Sequence, residues 1–197
     1  MKPINKLNNL ISLTVNKKDI NLKDIEDIIS NIELKVTNWD TLVNCESSKI
    51  TKLSSSWYQI FAIPELKKFD KLEEIKLEKF TIEKKETIKN ISEVKNLKKL
   101  TLTGCNLEEI FIDFSELKFI QYINLRDNYI SSKELKKLEA LKDIKNLTID
   151  LSTNSITDAS YLLVLDPNTK INLNGNVNLS QDSKEKLKER FGNNVIF

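Results

Sequence analysis

Apolar residues recur along this chain in short alternating runs. In the run that begins at Leu97, Leu100 and Leu102 alternate with lysine and threonine, and Cys105 and Leu107 follow. A period of two predicts a strand with one buried face, and the last two apolar positions predict a turn towards the same core. One such unit cannot bury its apolar face alone, so it needs copies of itself stacked on both sides.

The same spacing recurs along the whole chain. Its eight copies begin at Leu10, Ile29, Ile50, Leu72, Leu97, Ile120, Asn146 and Asn168. These starts are 19, 21, 22, 25, 23, 26 and 22 residues apart, which is the period of a leucine-rich repeat. Each such repeat contributes one strand to a continuous parallel sheet, so the pattern predicts about eight strands in an α/β fold.

Two segments between the strands have a helical pattern. Ser131 and Glu134 have the spacing of a capping box, and the three leucines that follow share one helical face. This predicts a short helix over 132–142 on the convex side of the repeats. The charged segment 82–97 is predicted to be helical as well, because its apolar residues recur at three-residue steps.

The C-terminal segment has the pattern of a cap. Asp182 and Glu185 have capping-box spacing, Leu187 and Phe191 lie four residues apart on one face of the helix that follows, and a glycine comes where the helix would end. The last three residues can return as a short extended segment. An array of repeats needs its last apolar face covered, so residues 180–197 are predicted to form a C-terminal capping helix and its return.

The turn that begins at Asn154 resembles a known family. Its residues, Asn154-Ser-Ile156-Thr-Asp-Ala-Ser-Tyr-Leu, are similar to the N-x-I-x-D-x-x-x-L turn of short bacterial leucine-rich repeats of the internalin or SDS22-like type. The resemblance covers nearly the whole chain. It implies a curved, right-handed solenoid with a parallel sheet on its concave side and an interaction role, and the family pattern contains no catalytic residues.

The ninth position of the repeat divides the chain into two parts. In order, it is occupied by Lys18, Thr37, Tyr58, Phe80, Cys105, Asn128, Asn154 and Asn176. Asparagine at this position in the family satisfies backbone groups inside the turn, so a polar ladder is expected only in the last three repeats. We divide the single predicted domain into irregular N-terminal repeats over 1–71, regular repeats over 72–179, and the cap.

The composition excludes several chemistries. The 197 residues contain no histidine, which excludes a Ser-His-Asp triad, a Cys-His pair and an imidazole metal ligand. A glycine-rich phosphate loop is absent as well, and we predict no catalytic, cofactor-binding or metal-binding residues. Cys45 and Cys105 lie in different repeats and are predicted to be reduced, with Cys105 buried as a small apolar residue.

The solvent-facing residues of the predicted strands are mostly small and polar, but two spots differ. Tyr122, Arg126 and Asp127, with the neighbouring Asp150, combine an aromatic residue with one of the two arginines of the chain. The second spot consists of Trp57, Lys76 and Glu78. Tyrosine, tryptophan and arginine are enriched at interaction hot spots, so both spots are predicted to bind a partner.

These features together predict a non-enzymatic module that binds a partner protein through its concave face. A stand-alone inhibitor of a host or phage enzyme or nuclease, such as an anti-defence, anti-CRISPR-like or toxin-neutralising protein, is an open alternative. Direct nucleic-acid binding through lysines is less expected, except through a nucleoprotein partner, because Lys+Arg 31 against Asp+Glu 29 leaves a charge of only +2. No run reaches the length of a membrane span or of a signal peptide, and we expect a cytoplasmic monomer of bacterial or phage origin.

Overall fold

The computed structural model describes residues 12–15, 33–36, 50–56, 59–60, 65–79, 81–82 and 85–197. The strands are β1 (Ser12–Val15), β2 (Glu33–Val36), β3 (Lys52–Ser56), β4 (Gln59–Ile60), β5 (Glu74–Glu78), β6 (Thr81–Ile82), β7 (Lys99–Thr103), β8 (Tyr122–Asn124), β9 (Thr148–Asp150), β10 (Lys170–Asn172) and β11 (Val195–Ile196). The α-helix, α1, spans Gln181–Phe191. Short 3₁₀ helices cover Lys85–Glu93, Phe114–Glu116, Ser132–Leu141, Ser160–Val164 and Gly192–Asn194.

One parallel sheet runs through the repeats. Its nine strands follow the order β1-β2-β3-β5-β7-β8-β9-β10-β11, so every neighbour in the sheet is also the next repeat along the chain. The eight predicted repeat strands are confirmed, and the C-terminal return adds β11 beside β10. The short strands β4 and β6 pair with each other outside this sheet.

The predicted alignment of the second repeat is wrong by two residues. We aligned Ile32 with Leu13, whereas the structure pairs Leu34 with Leu13 on one side and with Leu53 on the other. The second repeat therefore begins at Asn31. Ile32, Leu34 and Val36 alternate, so two registers fit the apolar pattern equally well, and a shift of two residues leaves the two faces of a strand unchanged.

Two rows of aliphatic side chains form the core behind the sheet. All of them are buried, with at most 2% of their surface exposed. The first row consists of Ile75, Leu100, Ile123, Ile149 and Ile171, and the second of Leu77, Leu102, Leu125, Leu151 and Leu173. Complete burial of one such side chain contributes about 1.5–3 kcal/mol to folding, so these rows hold the repeats together.

The predicted asparagine ladder is present. The Asn128 Oδ1 atom accepts hydrogen bonds from the backbone N–H groups of Cys105 (3.0 Å) and Leu107 (3.1 Å). Its Nδ2 atom donates to the carbonyls of Leu102 and Leu125, both at 2.8 Å. One buried side chain thus satisfies four backbone groups of two adjacent repeats, which would be costly to leave unpaired.

Asn154 and Asn176 repeat this arrangement in the next two turns. Asn154 accepts from the Ile130 N–H at 3.0 Å, and Asn176 accepts from the Ile156 N–H at 3.1 Å. Both amides donate back to carbonyls of their own and the preceding repeat. In the repeat before the ladder, the buried Cys105 thiol donates a hydrogen bond to the Leu77 carbonyl at 3.6 Å, whereas Cys45 lies outside the described residues.

The helix predicted over 132–142 is present as a 3₁₀ helix, but the capping box is not formed. The Ser131 side chain makes no cap hydrogen bond. The buried Glu134 carboxylate instead accepts from the Ile110 N–H of the preceding repeat at 2.9 Å and from Lys137 at 2.8 Å. The predicted capping box is therefore wrong, although its two residues have the right spacing. The Glu134 carboxylate connects two repeats and does not cap its own helix.

The C-terminal cap is confirmed with one correction. The N-cap of α1 is Ser180, whose side chain accepts from the Ser183 N–H at 3.2 Å, and not the predicted Asp182. Leu187 and Phe191 are buried against the last repeat, as expected. The helix ends at a glycine with φ of 56°, a left-handed conformation that favours glycine.

Candidate partner-binding face

The open face of the sheet is a set of rows that run across the strands. Along each strand, solvent-facing residues alternate with the buried aliphatic rows. The first row consists of Lys52, Glu74, Lys99, Tyr122, Thr148 and Lys170. The second row consists of Ser54, Lys76, Thr101, Asn124, Asp150 and Asn172, of which Ser54 is buried.

In β3 and β5 the charged residues of this face are paired with each other. The Lys52 Nζ atom lies 3.7 Å from a Glu74 oxygen, and Lys76 lies 3.0 Å from Glu78. We call these four residues the paired-charge region. Each ion pair is exposed and contributes at most about 1 kcal/mol, so their main effect is to balance charge on the surface.

Two of the three residues of the second predicted spot belong to this paired-charge region. Lys76 and Glu78 neutralise each other on their own strand. Trp57, the aromatic residue that singled out this spot, lies outside the described residues. What the structure describes of this spot is thus a balanced ion pair without its aromatic neighbour.

The first predicted spot lies on β8 and just beyond it. Tyr122 is half-buried, and its hydroxyl accepts a hydrogen bond from the Asn124 Nδ2 atom at 3.2 Å. Because Asn124 is two residues further along the strand, the tyrosine ring leans along its own strand. The Asn124 Oδ1 atom also accepts from the Thr103 hydroxyl at 3.2 Å and from the Arg126 N–H at 2.9 Å.

Arg126 and Asp127 follow the end of β8. The Arg126 side chain is exposed, and among the described residues no carboxylate forms an ion pair with it. Asp127 is exposed as well, with φ of 58°. Arg126 and Asp127 thus both lie beyond the strand and not in it as predicted, and their joint role with Tyr122 stays a prediction.

Asp150 has a local structural role that sequence reasoning missed. Its Oδ1 atom accepts from the Ser152 N–H at 2.9 Å and from the Ser152 hydroxyl at 2.6 Å. Asn124 and Asn172 make the same bond to the N–H two residues on, at 2.9 and 3.1 Å. The signal was the recurrence of Asn or Asp at one repeat position, since these side chains commonly bond the backbone two residues further along.

These observations define a second region on the open face, which we call the polar region. It consists of Tyr122, Asn124, Arg126, Thr148, Asp150, Lys170 and Asn172. Amide and hydroxyl groups dominate it. Its two cations, Arg126 and Lys170, are exposed, and neither forms an ion pair with any described carboxylate.

Within the part of the chain that the structure describes, no group of three or more acidic or cysteine side chains could hold a metal ion. The helices of that same part include none that is both long and apolar enough to cross a lipid bilayer. Among the described residues, the open face carries hydrogen-bonding groups, the Tyr122 ring and charged side chains of both signs.

The geometry defines the class of the fold, which is a right-handed leucine-rich-repeat solenoid with a C-terminal capping helix. It is similar to an internalin C2 of Listeria monocytogenes, with a TM-score of 0.64 and 21% identity over 94% of this chain and 78% of that one. An internalin of the same organism, inlF, has a TM-score of 0.50 and 17% identity over 82% of this chain. This chain spans about half, 53%, of the inlF structure.

The resemblance to internalin-type repeats is thus confirmed at the level of the fold. No protein-family model matches the chain, and no curated protein matches it in sequence. The stacked repeats of such a solenoid present a long continuous surface.

Proposed function

We propose that this chain is a non-enzymatic module that binds a partner protein on the open face of its sheet, in the polar region. The observation that carries this proposal is that Tyr122 lies on the solvent side of β8, whose opposite face is buried, while Asn124 bonds both the Tyr122 hydroxyl and the backbone N–H of the exposed Arg126. Tyrosine and arginine are the residue types that most often dominate binding energy at protein interfaces.

Local order around this pair supports the proposal. Asn124 holds the Tyr122 hydroxyl and the Arg126 backbone at the same time. Beneath them, Asn128 fixes the turn through four hydrogen bonds. Side chains held in place before binding lose less conformational entropy in the complex, which favours affinity.

The polar region also offers donors and acceptors without a large desolvation cost. Thr148 and Asn172 are half-buried, and the exposed Arg126 guanidinium, which forms no ion pair with a described carboxylate, carries five N–H donors. Asp127 and Asp150 flank the pair and can accept hydrogen bonds from a partner with the oxygen atoms that the turns leave open. The four residues Tyr122, Arg126, Asp127 and Asp150 are the contact set we propose.

The experiment is affinity capture from source cells with wild-type protein and with the double variant Tyr122→Ala/Arg126→Ala. We expect the wild type to retain one stoichiometric partner and the variant to lose at least about tenfold in affinity for it, as removal of two hot-spot residues implies. The melting temperature should stay nearly unchanged, because neither side chain belongs to the core. Equal affinity of both proteins would contradict the proposal.

A matched control removes an aromatic and a cationic residue elsewhere. Tyr161 lies exposed on the 3₁₀ helix Ser160–Val164, and Lys142 is exposed after the preceding 3₁₀ helix. Tyr161→Ala/Lys142→Ala should bind as the wild type does. Once the partner is known, its own activity with and without this chain distinguishes an inhibitor from a scaffold.

A further inference from the structure

The cations of the open face fall into two groups. Lys52 and Lys76 of the paired-charge region each have a carboxylate of this chain within 4 Å. Lys99 and Lys170 are exposed, and in the described part of the chain neither forms an ion pair. Of the four lysines in the two rows, two therefore have a carboxylate partner in this chain, and two have none among the described residues.

The two unbalanced lysines occupy the same row. Strand register aligns Lys99 with Tyr122, Tyr122 with Thr148, and Thr148 with Lys170. Lys99 and Lys170 are therefore three strand spacings apart, which corresponds to about 14 Å between their Cα atoms. Between them lie an aromatic ring and a hydroxyl group, both half-buried.

This spacing matches an extended polypeptide that crosses the strands. An extended chain rises about 3.4 Å per residue and points every second side chain to the same side. Residues i and i+4 are then about 14 Å apart and face the sheet together. The side chain of residue i+2 lies midway, over the space between Tyr122 and Thr148.

We propose that the partner places an extended segment across β7–β10, with one acidic residue on Lys99 and a second acidic residue, four positions along, on Lys170. An apolar residue between them contacts the Tyr122 ring. The proposal rests on the proposed function and specifies the chemistry of the partner: a segment with the pattern acidic-x-apolar-x-acidic.

Carboxylates fit this row better than a continuous polyanion does. A nucleic-acid strand would place phosphates over Tyr122 and Thr148 as well, where the row itself contains no cation. The Asp150 carboxylate of the adjacent row would repel those phosphates. Two separate negative charges at the ends of the row lie over the lysines instead, and the Glu74 carboxylate beside Lys99 is already paired with Lys52.

The test uses random linear peptides displayed on phage and selected on the wild-type protein. We expect enriched peptides to carry Asp or Glu pairs four residues apart with an apolar residue between them, and their affinity to fall as salt rises. On the charge-reversed variant Lys99→Glu/Lys170→Glu, these peptides should bind at least about tenfold more weakly. The same variant should select Lys or Arg pairs at the same spacing.

A matched control reverses two exposed lysines that lie away from the sheet, in Lys118→Glu/Lys142→Glu. This variant should select the same peptides as the wild type, and both variants are checked for an unchanged melting temperature. Enriched peptides without acidic pairs, or with acidic pairs at no preferred spacing, would overturn the proposal. A single-stranded oligonucleotide that binds the wild type, but not Lys99→Glu/Lys170→Glu, would overturn it too.

The outcomes also separate this proposal from the proposed function. If selected peptides lack the acidic pattern but still require Tyr122 and Arg126, the pattern is wrong and the binding face stands. If binding peptides depend on no residue of the polar region, both proposals fail.

Discussion

The paired-charge region and the polar region are built on the same strand register but use it differently. In the paired-charge region, opposite charges on neighbouring positions satisfy one another, as in Lys76 with Glu78. In the polar region, Asn124, Asp150 and Asn172 bond to the backbone of their own strands, and Arg126 remains without an ion pair among the described residues. The lysines of the paired-charge region are neutralised by carboxylates of the same chain. The cations of the polar region have no such partner among the described residues.

The difference continues beneath the surface. Asn128, Asn154 and Asn176 fix the turns under the polar region, whereas the equivalent position one repeat earlier is the buried thiol of Cys105. A satisfied polar ladder holds a turn in one geometry more strictly than apolar packing does. We infer that the region offered to a partner is also the more rigidly supported one.

The largest effect is expected for Asn128→Ala. The substitution leaves two N–H groups and two carbonyls without their partner inside the turn, and should destabilise the fold by about 3–5 kcal/mol. Urea denaturation measures the loss. Asn174→Ala, on an exposed side chain just after β10, is the control and should cost less than about 0.5 kcal/mol. Equal stabilities of the two variants would show that the ladder does not support the polar region.

The next largest effect concerns the cap. Leu187 is completely buried between α1 and the last repeat, so Leu187→Ala should cost about 2–4 kcal/mol. Hydrogen exchange should show that protection falls first in β10 and β11, next to the cap, and last in β5. A uniform loss of protection would show instead that the two regions unfold as one unit.

A smaller effect is expected for Glu134→Gln, which acts on the convex side behind the polar region. Burial of Glu134 acts to raise its pKa, but hydrogen bonds from Lys137 and the Ile110 N–H outweigh burial and hold the pKa below its ordinary value of 4.5. The variant should lose about 1–3 kcal/mol at neutral pH, as loss of hydrogen bonds to a charged group implies.

The sign of the pH dependence follows from that lowered pKa. A carboxyl group with a lower pKa in the folded state stabilises the protein above its unfolded value, and the stabilisation is lost as pH falls through the folded value. The stability difference between wild type and Glu134→Gln should therefore be full at pH 7 and shrink below pH 4.5. Glu139→Gln, on the same 3₁₀ helix, is the control; a constant difference across this range would contradict the role of the charge.

The smallest effect on stability is expected in the paired-charge region. Lys76→Ala removes an exposed ion pair that contributes at most about 1 kcal/mol, and rising salt should erase the difference from wild type. Thermal unfolding at low and high salt measures this. A large, salt-independent loss would mean that Lys76 contributes to packing and that the two regions differ less than we infer.

Much of the fold could be predicted from the period of the apolar residues. The eight repeat strands, the asparagine ladder and the buried Leu187 and Phe191 follow from patterns that each strand or turn displays locally. The register of the second repeat could not, because Ile32 and Leu34 are equivalent by pattern and only pairing with neighbouring strands distinguishes them.

Less of the candidate site could be predicted from the sequence. Tyr122 and Arg126 stood out by residue type, and the exposure of Tyr122 on the open face follows from the strand period. The bonds of Asn124 to both residues are local to one repeat. The bond between Glu134 and Ile110 joins adjacent repeats and therefore depends on how the repeats stack. A local motif such as a capping box does not determine which of several nearby N–H groups will donate a hydrogen bond to its carboxylate.

The most direct test of the proposed binding face is photo-crosslinking in source cells. A photoreactive amino acid replaces Thr148 in the polar region, or the exposed Lys52 of the same row in the paired-charge region, in otherwise unchanged protein. We predict that the partner crosslinks to the position of Thr148 and not to that of Lys52. Crosslinks at Lys52 alone would contradict the assignment of binding to the polar region.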